Sequence, residues 1–204
     1  MDTLSLFPLP VVQFPNAFLP LHIFEERYKA MINDAIEADE PFGIVYCDRD
    51  SSDYAETGCS TRITRLARLP GGRMNILTLG ERRFRVLAVV KRKPYLVAHV
   101  EYFDDRVKKR GCKNLVKELH AVLEHILHLS SRLVDKEVSL ENEIPSDPQE
   151  LSFWIASNFY GFAGDQQELL EMDCTKTRLE EELEVLDATR KNLAARASIK
   201  DAVG

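Results

Sequence analysis

The apolar positions of this chain change their spacing near its middle. Up to about Phe103 they fall in short runs punctuated by turn residues, and from about Lys113 they recur every three or four residues. In the first half, residues 4–7 and 11–14 are short apolar stretches separated by Pro8 and Pro10. Proline fixes φ and cannot donate to a sheet ladder, so these read as edge strands entering a barrel. Residues 14–24 then form a loop leading into a helix over 25–37, where Tyr28, Met31, Ile32, Ala35 and Ile36 share a face. The apolar run 42–47 predicts a buried strand, followed by a polar loop over 48–53. Residues 57–69 are rich in β-branched side chains, but their alternation slips between Ile63 and Leu66, which predicts a bulge. Pro70-Gly71-Gly72 makes a tight turn into the hairpin partner 73–79, Gly80-Glu81 breaks that strand, and 82–90 and 95–103 supply two more. Sequential strands joined by short turns, with one early helix, predict a small, mainly antiparallel barrel.

In the second half, Leu115, Leu119, Val122, Leu123, Ile126 and Leu129 line one face of a helix over 113–133. Asp147-Pro148-Gln149-Glu150 offers a cap, a proline at the first helical position and a glutamate to complete a capping box, so a helix runs on through Trp154 to about Tyr160. Gly161 and Gly164 end it, and Asp165-Gln166-Gln167-Glu168 starts a short helix ending near Met172. A last helix begins at 175–177, with Leu179, Leu183, Leu186 and Leu193 at heptad-like spacing and Arg190 in the intervening slot. The predicted class is α+β, with a barrel subdomain over 1–110 and a helical subdomain over 111–204.

Composition narrows the function. The 204 residues carry 27 basic and 33 acidic side chains, a formal net charge of -6, which argues against a general polyanion binder. No apolar run approaches the ~20 residues needed to span a bilayer, and Met1-Asp2-Thr3 lacks the basic start of a signal peptide, so the expected compartment is cytoplasmic, with no membrane partner. Cys47, Cys59, Cys112 and Cys174 form no CxxC pair and read as buried or bystander thiols.

The opening segment, residues 6–24, with Pro8-Leu9, Phe14-Pro15 and Leu19-Pro20-Leu21, resembles the start of the N-terminal substrate-binding domain of the Lon proteases. Later features keep the family order: residues 58–73 resemble its central hairpin, Gly80-Glu81-Arg82-Arg83-Phe84 its strand entry, and 151–160 with 165–171 its helical half. The resemblance implies a PUA-like pseudo-β-barrel followed by a C-terminal helical bundle, together one Lon N-terminal-type domain. It also implies recognition of unfolded or peptide segments of proteins, as an adaptor or regulator of proteolysis, with a protease or chaperone as partner. The sequence has no Gly-x-x-x-x-Gly-Lys-[Ser/Thr] loop, so no P-loop cradles a nucleotide, and no ATPase or peptidase follows within these residues. If 204 residues is the natural length, this is the stand-alone form of the domain.

Candidate chemistry is sparse. His120, His125 and His128 share one predicted helix, but 120 lies about 140° from 125 and there is no His-Glu-x-x-His, so they read as surface or interface histidines. No Gly-x-Ser-x-Gly elbow exists, and Asp104-Asp105 and Glu180-Glu181-Glu182 read as solvated acids. The expected protein is therefore not an enzyme, with no catalytic residue, metal or cofactor. The expected peptide-binding residues are Phe14, Phe18, Leu19 and Pro20, more apolar anchors than a short loop needs for solubility, with His22 and Phe24 in the same segment and Trp154 and Tyr160 in a second candidate groove. Burial of each in the core is the competing explanation. The alternative function is RNA binding on an arginine-rich barrel face through Arg62, Arg65, Arg82 and Arg83, against which stand the thin aromatic interleaving and the ordinary use of arginines on an outer sheet face. Heptad-like spacing in the last helix permits dimerisation and serves packing equally well.

Overall fold

The computed structural model describes residues 2–48, 53–106, 111–140 and 143–203. Most of the expected polar loop over 48–53, and residues 107–110 at the expected subdomain boundary, lie outside the described residues. The chain divides into two compact units, Met1–Asp104 with Ala156–Glu171, and Asp105–Ile155 with Met172–Gly204.

The first unit is built on six strands: β1 (Asp2–Leu9), β2 (Phe18–Ile23), β3 (Phe42–Cys47), β4 (Tyr54–Arg68), β5 (Met74–Lys91) and β6 (Leu96–Tyr102), with helix α1 (Glu26–Ala38) after β2. Their order is β2-β5-β4-β3-β1-β6, and β5 also pairs with β6, so the sheet closes on itself. Among the described strands only β1 and β3 run parallel. Closure depends on the length of β5: its start, 74–79, pairs with β2, and its end, 84–91, pairs with β6 along the same edge. This is the expected α+β pseudo-barrel. One apolar core joins Phe7, Ile23, Met31, Ile32, Phe42, Met74 and Ile76 under α1, and a second joins Leu4, Leu6, Val45, Phe84 and Val100. Each such side chain, once buried, is worth ~1.5–3 kcal/mol.

Three expectations about the strands are corrected. Residues 11–14 form no strand, and β1 is internal, flanked by β3 and β6. Pro8 is tolerated there because the β6 partners of β1 end at Leu6, leaving that side of the strand open at residues 7–9. Residues 18–23, expected in a loop, are instead a strand, and Gly80-Glu81 does not interrupt β5. Gly80 is where residues 14–17 cross the sheet: Asn16 N–H donates to its carbonyl at 2.9 Å and its own N–H donates to Ala17 O at 3.0 Å. A Cβ there would sit 2.1 Å from Phe14 O, so the position demands glycine for close approach.

The expected bulge is present, with the β4–β5 register slipping between Ile63 and Arg65. A second slip lies between Cys59 and Thr61. Helix α4 (Ala163–Glu171) starts before the expected Asp165, with Gly164 in its first turn, and belongs to this first unit: Gln167 Nε2 donates to Thr57 O at 3.1 Å, and Arg83 Nη1 to Leu170 O at 2.9 Å.

The second unit contains α2 (Lys113–Val134), α5 (Thr175–Val203) and the beginning of α3 (Pro148–Phe159). The proline start of α3 is capped as expected, Asp147 Oδ1 accepting the N–H groups of Gln149 at 3.0 Å and Glu150 at 3.3 Å. Leu119, Leu123, Ile126 and Leu129 are buried on α2, and Leu179, Leu186 and Ala197 on α5. Not every acid expected at the surface is there. Asp105 and Glu182 are buried around Arg178, which is fully enclosed. The helical period that carries Leu179 and Leu186 inward carries Glu182 with them, while Glu180 and Glu181 stay exposed. Among the described residues no helix is long and apolar enough to cross a membrane.

Candidate functional site

Strand β2 alternates cleanly. Leu19, Leu21 and Ile23 pack into the core beneath α1, and Phe18, Pro20 and His22 point out. Only β5 pairs with β2, so its other edge is free among the described residues. The outward set includes an aromatic ring that the core does not use: Phe18 is 60% exposed, and so is Phe24 just beyond the strand. His22 stacks on Phe24 with centroids 5.9 Å apart, and its Nδ1 lies 2.6 Å from Asn75 Oδ1 on β5, which fixes the imidazole orientation.

Beside this strand lies a cavity of about 260 Å³ whose walls are residues 7–10 at the end of β1, residues 21–25, and Arg27 and Tyr28 of α1. It therefore lies between two strand segments that each lack a partner on one side, residues 7–9 of β1 and β2. Tyr28 is in contact with Phe7, 4.0 Å away between centroids, and with the Arg27 guanidinium, 4.5 Å from its ring, and burial raises its phenol above the ordinary range. Arg27 is itself paired with Glu25 at 2.8 Å. A second cavity of about 180 Å³ shares Pro8, Arg27 and Tyr28 and continues to Tyr54, Arg92, Pro94 and Tyr95. The Tyr95 hydroxyl donates to Asp34 Oδ2 at 2.5 Å, a bond that raises its pKa along with burial. The two cavities adjoin at Pro8, Arg27 and Tyr28 as a channel edged by cations and tyrosines, apolar on its β2 side and more polar towards Tyr95, dimensioned for side chains of an extended chain rather than for a metabolite.

The expected peptide-binding residues separate. Phe18, Pro20, His22 and Phe24 are exposed and adjacent. Leu19 is half-buried with its side chain in the core, and Phe14 is fully buried under the Gly80 crossing. Trp154 and Tyr160 are both half-buried, the first in the second unit and the second in the first. The arginines separate too. Arg62 and Arg65 are exposed on β4, Arg62 bound to Glu81 at 2.8 Å, and Arg82 is exposed with its guanidinium 4.7 Å from the Tyr102 ring. Arg83 is buried, bonded to Leu170 O, with its guanidinium 4.4 Å from the Phe103 ring. Sequence reasoning missed Arg27, Tyr28 and Tyr95, since nothing local marks a residue as the wall of a channel. The proline pair Pro8 and Pro10, which ends β1 there, was the available signal.

Of the histidines, His125 and His128 are exposed, and His120 Nε2 lies 2.9 Å from Pro145 O. Among the described residues no group of three His, Cys, Asp or Glu side chains could hold a metal ion.

Comparison with known proteins places this geometry. The sequence pattern of the ATP-dependent protease La (LON) substrate-binding domain matches residues 3–188. Curated relatives include a Lon protease of Anaeromyxobacter dehalogenans, 28% identical over 94% of this chain and 24% of its own length, and Lon protease 2 of Myxococcus xanthus, 28% identical over 99% of this chain and 25% of its own. The chain thus spans about a quarter of the length of these relatives. Among solved structures, the Lon N-terminal domain protein from Xanthomonas campestris superimposes with a TM-score of 0.68 at 24% identity, covering 90% of this chain and 98% of that one. The N-terminal domain of the Mycobacterium avium complex Lon protease gives 0.68 at 20% identity, covering 91% and 98%. These two likenesses carry the fold.

Proposed function

We propose that this chain, which belongs to the ATP-dependent protease La (LON) substrate-binding domain family, captures extended polypeptide segments in the channel beside the free edge of β2, without turnover or cofactor. The observation that carries the reading is the coincidence of Phe18 and Phe24, each 60% exposed, with a channel flanked by two unpaired strand segments. A folded protein has already satisfied its backbone within its own sheets. An unfolded segment has not, and it gains ladder hydrogen bonds along β2 while alternate side chains reach Phe18, Phe24 and the cavity. Binding of this kind is weak per residue and tolerant of sequence, which suits a domain that meets many clients. In the cell the module serves as an adaptor or regulator of proteolysis, delivering such segments to a protease or chaperone.

The rival reading places RNA on the same outer face, where the β4 bulge brings Arg62 and Arg65 together. One experiment addresses both. Fluorescence anisotropy of a labelled, permanently unfolded polypeptide is titrated with the protein, and with a variant carrying Phe18→Ser and Phe24→Ser. Both rings are mostly in water, so the variant folds, and loss of two aromatic anchors weakens binding by about tenfold or more. Equal affinity for the two proteins refutes the channel. Binding of a single-stranded RNA that falls steeply with salt, with no polypeptide binding, replaces the reading by its rival.

A further inference from the structure

The smaller of the two cavities beside β1, about 180 Å³ in volume, differs in chemistry from the larger, and all of its walls belong to the first unit. It opens where β1 and β6 part. Leu6 opposite Leu96 is the last pair of that ladder, so Pro8 on one side and Tyr95 on the other leave a gap lined by Arg27, Tyr28, Tyr54 and Arg92. No carboxylate among the described residues lines this gap, whereas Glu25 stands in the wall of the larger cavity.

The polar groups around it are mostly uncommitted donors. Arg92 has no ion pair among the described residues, and the hydroxyls of Tyr28 and Tyr54 have no hydrogen-bond partner among them. Tyr95 differs, its hydroxyl being bonded to Asp34, and the Lys91 ammonium 5.6 Å from its ring adds positive charge on that side. Arg27 stands at the junction of the two cavities and is offset by Glu25, so the surplus charge is that of Arg92. Donors with surplus positive charge suit an oxyanion. A carboxylate offers two oxygens to a forked guanidinium and keeps lone pairs for a phenol hydroxyl. Adjoining cavities of this size have centres on the order of 7 Å apart, which is the distance between alternate side chains of an extended chain.

We propose that the smaller cavity is a carboxylate subsite of the channel: an extended segment whose apolar side chain occupies the larger cavity binds preferentially when it carries Asp or Glu two residues away, with Arg92 and Tyr54 receiving the acid. The proposal rests on the reading of the channel as a site for extended polypeptide. It converts a groove tolerant of sequence into one that favours the pattern apolar-x-acidic and disfavours apolar-x-basic, whose cation would meet Arg92.

Fluorescence anisotropy with three labelled Ser- and Thr-rich peptides tests this. Each has a single phenylalanine; the first carries glutamate two residues away on both sides, the second glutamine at those positions, and the third glutamate at the two adjacent positions, which keeps the charge and turns it to the opposite face. The first binds about three- to tenfold tighter than either of the others. Arg92 is exposed, so Arg92→Gln folds, and it removes the preference; Tyr54→Phe reduces it. Equal affinity for all three peptides, each weakened by Phe18→Ser with Phe24→Ser, overturns the subsite and leaves the channel standing, and so does a preference that survives in Arg92→Gln. Binding of none of the three, or binding indifferent to the two phenylalanine substitutions, overturns the channel and the subsite with it.

Discussion

Arg178→Met tests the buried charge cluster of the second unit. The guanidinium is completely buried, donating from Nη2 to Asp105 Oδ2 at 2.8 Å, from Nη1 to Met172 O at 2.9 Å and from Nε to Ser152 Oγ at 2.6 Å, with the Phe153 ring 4.3 Å away. Methionine fills part of the volume and none of these bonds. Asp105, itself buried, keeps the Thr175 hydroxyl bond but loses the guanidinium that faces it, so a carboxylate is left in the interior without its cation. Breaking a buried pair from one side costs about 3–5 kcal/mol, which for a chain of this size lowers Tm by about 6–20 °C. The single tryptophan, Trp154, lies in this unit next to Phe153, so its fluorescence during urea unfolding reports the unit directly. The paired change Arg178→Met with Asp105→Leu removes both charges and recovers most of the loss, because the cost is the orphaned partner rather than a missing attraction. A loss below about 1 kcal/mol for Arg178→Met, or a double variant less stable than the single by the full cost of Asp105→Leu alone, refutes this account.

Three further outcomes follow from buried or crowded positions. Glu182 is enclosed, and desolvation holds its carboxyl well above the usual range despite Arg178 and the Ser152 hydroxyl. Its protonated form is therefore favoured in the fold, the folded state binds more protons than the unfolded one above pH 4.5, and stability falls as pH rises from there. Glu182→Gln keeps the shape and removes that penalty, so its Tm exceeds the wild type at pH 7 and the gap closes towards pH 4.5; a gap that widens in acid contradicts it. At the crossing of residues 14–17, Gly80→Ala forces a methyl against Phe14 O and costs about 1–3 kcal/mol in chemical denaturation, and a neutral result would show that the crossing segment yields freely. Cys59, buried and with its thiol pushed far up, stays unalkylated in the native protein until denaturant is added, which serves as an internal measure of opening in the first unit.

What the sequence made legible was local. The helix periods, the Asp147 cap, the bulge near Thr64 and the Pro70-Gly71-Gly72 turn each follow from neighbours in the chain, and the structure has them all. Strand β2 was hidden because two of its three outward positions hold Phe18 and Pro20, so the run reads as apolar except at His22 instead of alternating. Exposed apolar side chains defeat binary patterning in this way, since they stand outside where the pattern expects a core. Gly80 read as a strand break because its reason, the close passage of Phe14 O, comes from residues far back in the chain. The Asp105–Ser152–Arg178–Glu182 cluster was invisible for the same cause: its members are brought together by α3 and α5, and no spacing along the sequence announces them.

The bulge also explains why the two candidate surfaces are one. In an unbroken strand Arg62 and Arg65, three residues apart, would point to opposite faces. The ladder pairs Ile63 with Thr78 and Arg65 with Leu77, leaving Thr64 as the extra residue, and Arg65 swings back to the side of Arg62. Across the same face the register runs from Arg62 to Leu79 to Phe18, and from Arg65 to Leu77 to Pro20. Apolar positions on β2 and positive charge on β4 are thus separated by a single strand. Arg62 is neutralised by Glu81, whereas Arg65 has no ion pair among the described residues. The cationic part of this face is therefore too thin to hold a phosphate backbone by itself, yet it stands where an extended segment lying along β2 would present its flanking acidic side chains. That division of labour, apolar anchors at the edge and one uncommitted cation behind them, favours polypeptide over nucleic acid as the ligand of the face.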